Sequence, residues 1–450
     1  MDATTRRLAQ YACDADIRRM PPQALHEARR RLIDSVACAA AAYPEPFCAS
    51  IRAVAGRYAG RPGARVWGSG EATSMEMAAF ANGTMVRYLD YSDTCLGKAA
   101  GHPSDMIAGL VAVAEAHGCD GAALVTAIIV AYEIYCGLCE AVAIQSRGVD
   151  QATCAAVGTA AGAARLLALS MEQTGNAISL ALGSGVQLYN VRTGSLSDWK
   201  GCAGPNGARN GVFAALLARD GVTGPTAIVE GKGGLQEVVG PFDWQAGAQA
   251  LPLIVGTHLK FHPVCYHGQS AIDAVLALRD AVPLDRIAAV EVETYESAYR
   301  AMGSDAARWA PTTRETADHS LPYTIACALQ DGQLRSDAYA DTRLADPSLK
   351  RIMDKIRVTS SAQMSAEFPA RAQTRVTIRC TDGAEHTHLQ ENPKGNAANP
   401  LSDGELEAKF IELYAPWGDE KATRSTLETL WAVDRLPAVS TLVDALCSAR

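Results

Sequence analysis

The sequence predicts a mainly α protein in which a large helical region is followed by a smaller α+β module and a helical tail. Three observations predict this. The first 250 residues or so carry helical apolar patterning with capping signals and almost no alternation. Near residue 285 the pattern changes: Ile287–Tyr295 alternates apolar and polar, the period of a half-buried strand. After the turn-rich segment Asn392–Leu401, helical patterning resumes to the end of the chain.

The elements follow in order. Pro21 and Pro22 open a helix that runs through Ala42, since proline suits a first helical turn. Thr73 and Glu76 form a capping-box pattern before a helix carrying Met77–Asp90. Ser104 is placed to cap a helix that reaches His117, with Gly118 as its stop. Further helices are read at 121–144, 152–168, 171–184 and 205–220, and Ser170 with Gln173 repeats the capping box. Strand patterns recur at 356–360, 375–380 and 385–389, with helical pieces at 268–279 and 322–329. Together these make an α+β module of about 130 residues. Ser402 and Glu405 begin the tail helices.

Composition narrows the function. The chain has 450 residues, 48% hydrophobic and 20% charged, with a net charge of −8. That balance argues against a general nucleic-acid or anionic-membrane binder, because both need basic surface. The apolar run 121–144 is long enough to cross a bilayer, but it holds Glu133 and Glu140, so a buried helix is the better reading. Thirteen scattered cysteines and an N-terminus without a signal pattern lead us to expect free thiols in the cytoplasm. Cys136 and Cys139 have no second pair at zinc spacing and read as helix core. His386 and His388 form a weak metal pattern, because alternating strand positions usually place such a pair on one exposed face. No phosphate-binding loop, dinucleotide fingerprint or iron–sulfur spacing is present, so no cofactor and no metal is expected. Lysine is scarce: nine of the 41 basic residues are Lys, and the first 260 positions hold only Lys98, Lys200, Lys232 and Lys260.

Three polar clusters stand out. In the first, Arg87, Asp90 and Thr94 share a helical face at i, i+3 and i+7, and Gly101-His102-Pro-Ser-Asp105 follows. A helix N-terminus disfavours imidazolium, so His102 would tend to stay neutral and basic. An Asp, a Thr hydroxyl and a neutral His could bind a hydroxy acid and move a proton; the plainer reading is local capping of two helices. In the second cluster, Lys200 sits in a glycine-rich approach to a helix starting near Pro205, a suitable anion site. In the third, Lys260 precedes a Pro-fixed turn and His267 opens a helix. For either Lys the alternative is ordinary surface solvation, which the Gly and Pro settings make less attractive.

These clusters, in this order, resemble the MmgE/PrpD family, which includes 2-methylcitrate dehydratases, cis-aconitate decarboxylases and iminodisuccinate epimerases. The resemblance rests on Leu89-Asp-Tyr-Ser-Asp-Thr94, Gly101-His-Pro-Ser-Asp105, Trp199-Lys-Gly-Cys202, Lys260 with Tyr266-His267-Gly-Gln-Ser270, and Thr313-Arg-Glu-Thr-Ala-Asp-His-Ser-Leu-Pro-Tyr323. It implies an all-α domain built from both chain ends, 1–258 and 400–450, with an inserted α+β lid domain, 259–399. It also implies a homodimer and an active site between the domains. By motif, Asp90, Thr94, His102, Lys200, Lys260 and Tyr323 look like the family's pocket residues, and we add Arg87 and His267 as substrate ligands. The stretch Thr313–Ser320 and the long loop between Thr94 and His102 resemble the dehydratase branch. The decarboxylases carry a His near Val149-Asp150-Gln151, where this chain has none. Dehydratases of this type usually have Glu where this chain has Cys265.

The resemblance implies proton removal from a carbon next to a carboxylate, through an enediolate-like intermediate. Lys200 and Lys260 would neutralise charge. His102 would move the proton, Asp90 would orient it or the substrate hydroxyl, Thr94 would bind a carboxylate, and Tyr323 would protonate the leaving hydroxyl. The acid and base roles of Asp90, His102 and Tyr323 are interchangeable at this level. The expected activity is metal-independent dehydration of 2-methylcitrate or a close hydroxy-tricarboxylate. The alternatives are epimerisation or decarboxylation of a related polycarboxylate, or a non-catalytic polycarboxylate-binding homologue.

Overall fold

Local chemistry places most helix ends where the sequence marks them. In the computed structural model, which describes residues 1–194, 196–245 and 250–447, the Ser170 hydroxyl and the Gln173 side chain close a reciprocal capping box, as do Ser402 and Glu405. The protein is mainly α, with 59% of residues helical. Chain contacts separate two units: Met1–Arg192, Asp198–Thr257 and the segment from Ser402 onward form one, and Thr193–Ser197 with His258–Leu401 form the other.

The first unit is helical. Up to residue 257 its helices are α1 (Ala3–Asp14), α2 (Pro22–Ala42), α3 (Pro46–Ala55), α4 (Met75–Tyr88), α5 (Ile107–Ala116), α6 (Gly121–Ala141), α7 (Ala152–Leu166), α8 (Met171–Gly185), α9 (Trp199–Arg219) and the short α10 (Leu235–Val239), and the segment from Ser402 onward adds Asp403–Tyr414, Glu420–Trp431 and Ser440–Cys447. Two small hairpins interrupt them: β1 (Ala64–Arg65) with β2 (Ala72–Thr73), and β3 (Cys95–Leu96) with β4 (Ala100–Gly101). Helices α4, α6, α7, α8 and α9 pack on one another through alanine- and glycine-rich faces. Small side chains let the helix axes approach and bury their apolar surface. The apolar helix α6 is part of this packing, and its buried Glu133 accepts the Leu253 N–H at 2.8 Å, so its carboxylate is satisfied. The first helix of the C-terminal segment, Asp403–Tyr414, lies on α2. There the buried Lys409 ammonium donates to Asp34 at 2.7 Å and to the Tyr91 carbonyl at 3.1 Å.

Four local expectations are corrected. The cap of α4 is Ser74, which accepts the Met77 N–H, because Thr73 is committed to β2 and donates its hydroxyl to the carbonyls of Ala55 and Tyr58. Ser104 does not cap a helix. Residues Pro103–Met106 form a 3₁₀ turn with His102 as its cap residue, α5 starts at Ile107, and the Ser104 N–H is satisfied by Asp93 at 3.0 Å. Thr94 is not on the face of α4, since that helix ends at Tyr88 and Asp90 adopts φ 52. Finally, α9 starts at Trp199, with Pro205 inside it. Proline there removes one helical hydrogen bond. Close packing outweighs the loss: the Pro205 ring sits against Gly83 of α4, and Gly204 is so near Asp105 that a Cβ would lie 1.7 Å from its carboxylate.

The second unit contains a four-stranded sheet of order β6-β5-β7-β8, from β5 (Ile287–Thr294), β6 (Ile356–Ser360), β7 (Thr374–Cys380) and β8 (Glu385–Gln390). β5 and β6 are parallel, and the other neighbours are antiparallel. The alternation seen in sequence becomes a one-sided core. Val290, Val292, Val376 and Ile378 are buried with Ile272 and Val275 of α11 (Gln269–Arg279) and Ile325 and Leu329 of the helix Leu321–Asp331.

Candidate active site

In the first unit, the last turn of α4 delivers Arg87 and the strained residue after it delivers Asp90. A positive φ is uncommon outside glycine, and Asp is one of the few residues that tolerates it. This turn aims the Asp90 carboxylate back at its own helix, where Arg87 Nη1 donates to Oδ1 at 2.5 Å. The other oxygen lies 3.9 Å from the Lys200 ammonium, which the first turn of α9 supplies. Arg87, Asp90 and Lys200 are all at most 2% exposed, so this ion cluster works in a low-dielectric setting. Arg192 supports it from behind, pairing with buried Asp150 at 3.0 Å and donating to the Lys200 carbonyl at 2.9 Å.

The β3–β4 hairpin carries the second half of the cluster. Asp93 and Thr94 precede β3, and His102 follows β4. His102 Nδ1 lies 2.7 Å from the Asp93 carbonyl oxygen and 3.4 Å from the Thr94 hydroxyl. A carbonyl only accepts, so Nδ1 carries the proton and the basic lone pair of the neutral ring is on Nε2. The backbone N–H of His102 donates to the Tyr135 hydroxyl at 2.8 Å, and that hydroxyl donates to Gln151. Gln151 reaches the Asp105 carboxylate at 3.4 Å, and Asp105 lies 3.9 Å from Arg87. The two halves are thereby joined by a chain of buried polar groups.

Two carboxyls in this network are perturbed. Burial pushes Asp93 up to about 6, although Arg31, the Ser104 N–H and the Tyr132 hydroxyl pull it down. Burial likewise pushes Asp105 up to about 6 against the pull of Arg87 and Arg192. Shifted acids gathered around a half-buried His are a mark of functional sites.

The second unit has its own polar array. Lys260 is 1% exposed. His267, in the 3₁₀ turn Tyr266–Gly268 before α11, pairs its Nδ1 with the Tyr295 hydroxyl at 2.9 Å. His258 accepts the Ala397 N–H at 3.0 Å, and Asn396 donates to the Tyr266 hydroxyl at 2.7 Å, so the turn-rich 392–401 segment is folded onto this array. His319 Nδ1 lies 2.5 Å from the Asp318 carboxylate, an orienting pair in which Asp318 is buried. The Cys265 N–H donates to the Asp318 carbonyl at 3.0 Å.

Family models decide where such an arrangement belongs. The MmgE/PrpD N-terminal domain matches residues 6–245, and the MmgE/PrpD C-terminal domain matches residues 262–434. The chain belongs to the MmgE/PrpD family. A 2-methylcitrate dehydratase of Cupriavidus necator is 29% identical over 388 residues, covering 79% of this chain and 78% of the relative. The 2-methylcitrate dehydratase of Escherichia coli K12 is 27% identical over 398 residues, covering 81% and 80%. An alkylcitrate dehydratase, phiI, of a fungal species is 27% identical over 423 residues, covering 85% and 82%.

Within this MmgE/PrpD chain, the structure brings Arg87, Asp90 and Lys200 into one ion cluster, and Thr94 with His102 into the adjoining hairpin. Lys260, His267 and Tyr323 lie in the second unit. Tyr323 is set apart from the other candidates by its surroundings. It belongs to the apolar core of that unit, and its hydroxyl donates to the Ala338 carbonyl at 2.6 Å. Burial also raises its pKa, which holds the proton more tightly. Sequence reasoning did not single out His319, although the adjacent acid and imidazole of Asp318-His319 were a readable signal. It also missed the support given by Asp93, Asp105, Tyr135 and Gln151, whose partners are set only by folding. At Val149-Asp150-Gln151, Asp150 is taken up by Arg192 and Gln151 by Tyr135.

Proposed function

We propose that this protein is a lyase that removes water from 2-methylcitrate, or a close hydroxy-tricarboxylate, to give an aconitate-type product without help from a metal ion. The observation that carries the reading is His102, whose ring is turned by the Asp93 carbonyl so that Nε2 is the basic atom. The names of the dehydratase relatives supply the substrate class.

In this reading, Nε2 takes the proton from the carbon beside a carboxylate, and negative charge builds on that carboxylate as an enediolate. Lys200 is the compact cation that stabilises it. Such preorganised charge is worth several kcal/mol where water is excluded. Asp90 fixes the Lys200 ammonium or the substrate hydroxyl, and Thr94 donates to a carboxylate. Arg87, Lys260 and His267 hold the remaining negative charge of the substrate. The C–O bond then breaks, and the hydroxide departs as water with a proton from an acid. Tyr323 is a poor candidate for that acid because its hydroxyl is already bonded to the Ala338 carbonyl. We also propose that the chain works as a homodimer, which sedimentation of the purified protein would check.

The test is to mix purified protein with 2-methylcitrate, and separately with citrate, in the presence of a chelator. The ultraviolet absorbance of a new conjugated double bond is followed. Absorbance is expected to rise with 2-methylcitrate whether or not the chelator is present. Silence with both substrates, together with proton exchange into a four-carbon diacid or carbon dioxide release from cis-aconitate, would replace the dehydratase reading. Activity lost to the chelator and regained with iron would overturn the metal-free chemistry.

A further inference from the structure

The β3–β4 hairpin is docked on α6 and on the 3₁₀ turn Ile144–Arg147 after it by several independent contacts. Ala99 donates its N–H to the Cys139 carbonyl at 2.9 Å, and Lys98 donates to the Ala141 carbonyl at 3.1 Å. Ala100 exchanges two hydrogen bonds with the Gln145 side chain, at 3.1 and 2.8 Å. Gly97 has no side chain at the closest point, where a Cβ would lie 2.8 Å from the Cys139 carbonyl oxygen. This docking presses Cys95, the first residue of β3, onto the turn of α6 that carries Cys136 and Cys139. Cys95 and Cys136 line one cavity, Cys139 lies one helical turn beyond Cys136 and accepts the Ala99 N–H on its carbonyl, and the Cys95, Cys136, Cys139 and Cys154 side chains are near enough to influence one another's ionisation. All four are free thiols and all are buried.

The run of thiols is open at one end. Cys95 and Cys136 both line a cavity of about 330 Å³, together with Leu96, Glu140, Leu253 and Thr257. A cavity of that size admits water and small solutes.

We propose that Cys95 is a hydroperoxide-reactive thiol whose oxidation ends in a disulfide with Cys136 or Cys139 of α6. The thiolate attacks one peroxide oxygen. An S–O bond forms, the O–O bond breaks, and the departing hydroxide or alkoxide takes up a proton. The sulfur is oxidised to the sulfenic acid and the peroxide is reduced. The neighbouring thiol then attacks that sulfur, an S–S bond forms, and the hydroxyl leaves as water. The net change is loss of two hydrogens from the protein. Electrostatics supports the assignment. The neighbouring Cys136 and Cys139 thiols outweigh burial and hold the Cys95 thiol below its usual range. Burial pushes Cys136 up, and the neighbouring Cys154 and Cys95 thiols push Cys139 up. Burial also raises the half-buried Cys119 and Cys447.

The test uses the reduced full-length protein, hydrogen peroxide in modest excess, intact-mass measurement and non-reducing peptide mapping, so it does not depend on any enzymatic reading. A two-hydrogen loss is expected, with a cross-linked peptide joining Cys95 to the α6 segment, reversed by dithiothreitol and abolished in Cys95→Ser. Should that variant not fold, iodoacetamide labelling of the native protein at mildly acid pH serves instead, and Cys95 is expected to label first among the thirteen cysteines. A two-hydrogen loss that persists in Cys95→Ser overturns the proposal. So does oxidation mapped to other cysteines while Cys95 remains a thiol, or first labelling at another cysteine.

Discussion

The Nδ1 atom of His102 is 2.7 Å from the carbonyl oxygen of Asp93, nine residues back in the chain, and the Asp93 side chain meanwhile holds the Ser104 N–H two residues beyond the imidazole. One residue therefore turns the ring with its backbone and braces the loop after it with its carboxylate. This leaves the ring direction independent of the charge on Asp93.

His102→Ala is expected to lower kcat/KM at least about a hundredfold, the usual scale for deleting a general base. The fold should persist, because the ring is only partly buried. Steady-state assays with matched circular dichroism check this, and near-normal turnover in a folded variant would remove His102 from the mechanism.

Lys200→Arg keeps the charge and is still expected to cost about a hundredfold in kcat/KM, since an ammonium is a point charge and guanidinium a broad fork. The Lys200 side chain is enclosed beside Asp90, in a helix whose glycines pack tightly on their neighbours. Full activity in the Arg variant would show that charge alone suffices there.

Asp93→Asn should change the pH dependence of stability. The Asp93 carboxyl is raised by burial from 3.8 to about 6, so between those values the folded state holds a proton that the unfolded state has lost. The stabilisation this represents is complete below the lower value and disappears as pH rises through the upper one, on the order of 2–3 kcal/mol in total. The Asn variant lacks this titration, so its melting temperature relative to the native protein should improve between pH 4 and pH 7. A difference that does not vary with pH would contradict the buried-acid assignment.

Tyr323→Phe should leave kcat unchanged and lower stability by about 1–3 kcal/mol, the cost of stranding the buried Ala338 carbonyl. Denaturant melts and turnover measured on the same preparation separate the two effects. A large loss of kcat with unchanged stability would return Tyr323 to the chemistry.

Lys409→Met removes the partner of buried Asp34 and should destabilise the first unit by about 3–5 kcal/mol, as breaking one side of a buried pair does. Asp34→Asn combined with Lys409→Met should recover much of that loss, because no unpaired charge then remains. Chemical denaturation of the single and double variants checks this.

Much of this protein could be read from local chemistry. The mainly α class, the change to strand patterning near residue 285, and the boxes at Ser170–Gln173 and Ser402–Glu405 depend on residues a few positions apart, which any folded state must satisfy. The family resemblance was legible for the same reason, since its motifs are short and contiguous. The tertiary structure decided what turns on distant partners. Thr73 gave up its cap to bond Ala55 and Tyr58. The α9 start moved past Pro205 to Trp199 because α4 and Asp105 pack against its glycines. Thr94 left the helical face when Asp90 turned its backbone to φ 52. Tyr323 found the Ala338 carbonyl, and His102 took its tautomer from the Asp93 carbonyl. Burial makes an unsatisfied polar group costly, so in each case the nearest partner in space overrode the nearest in sequence.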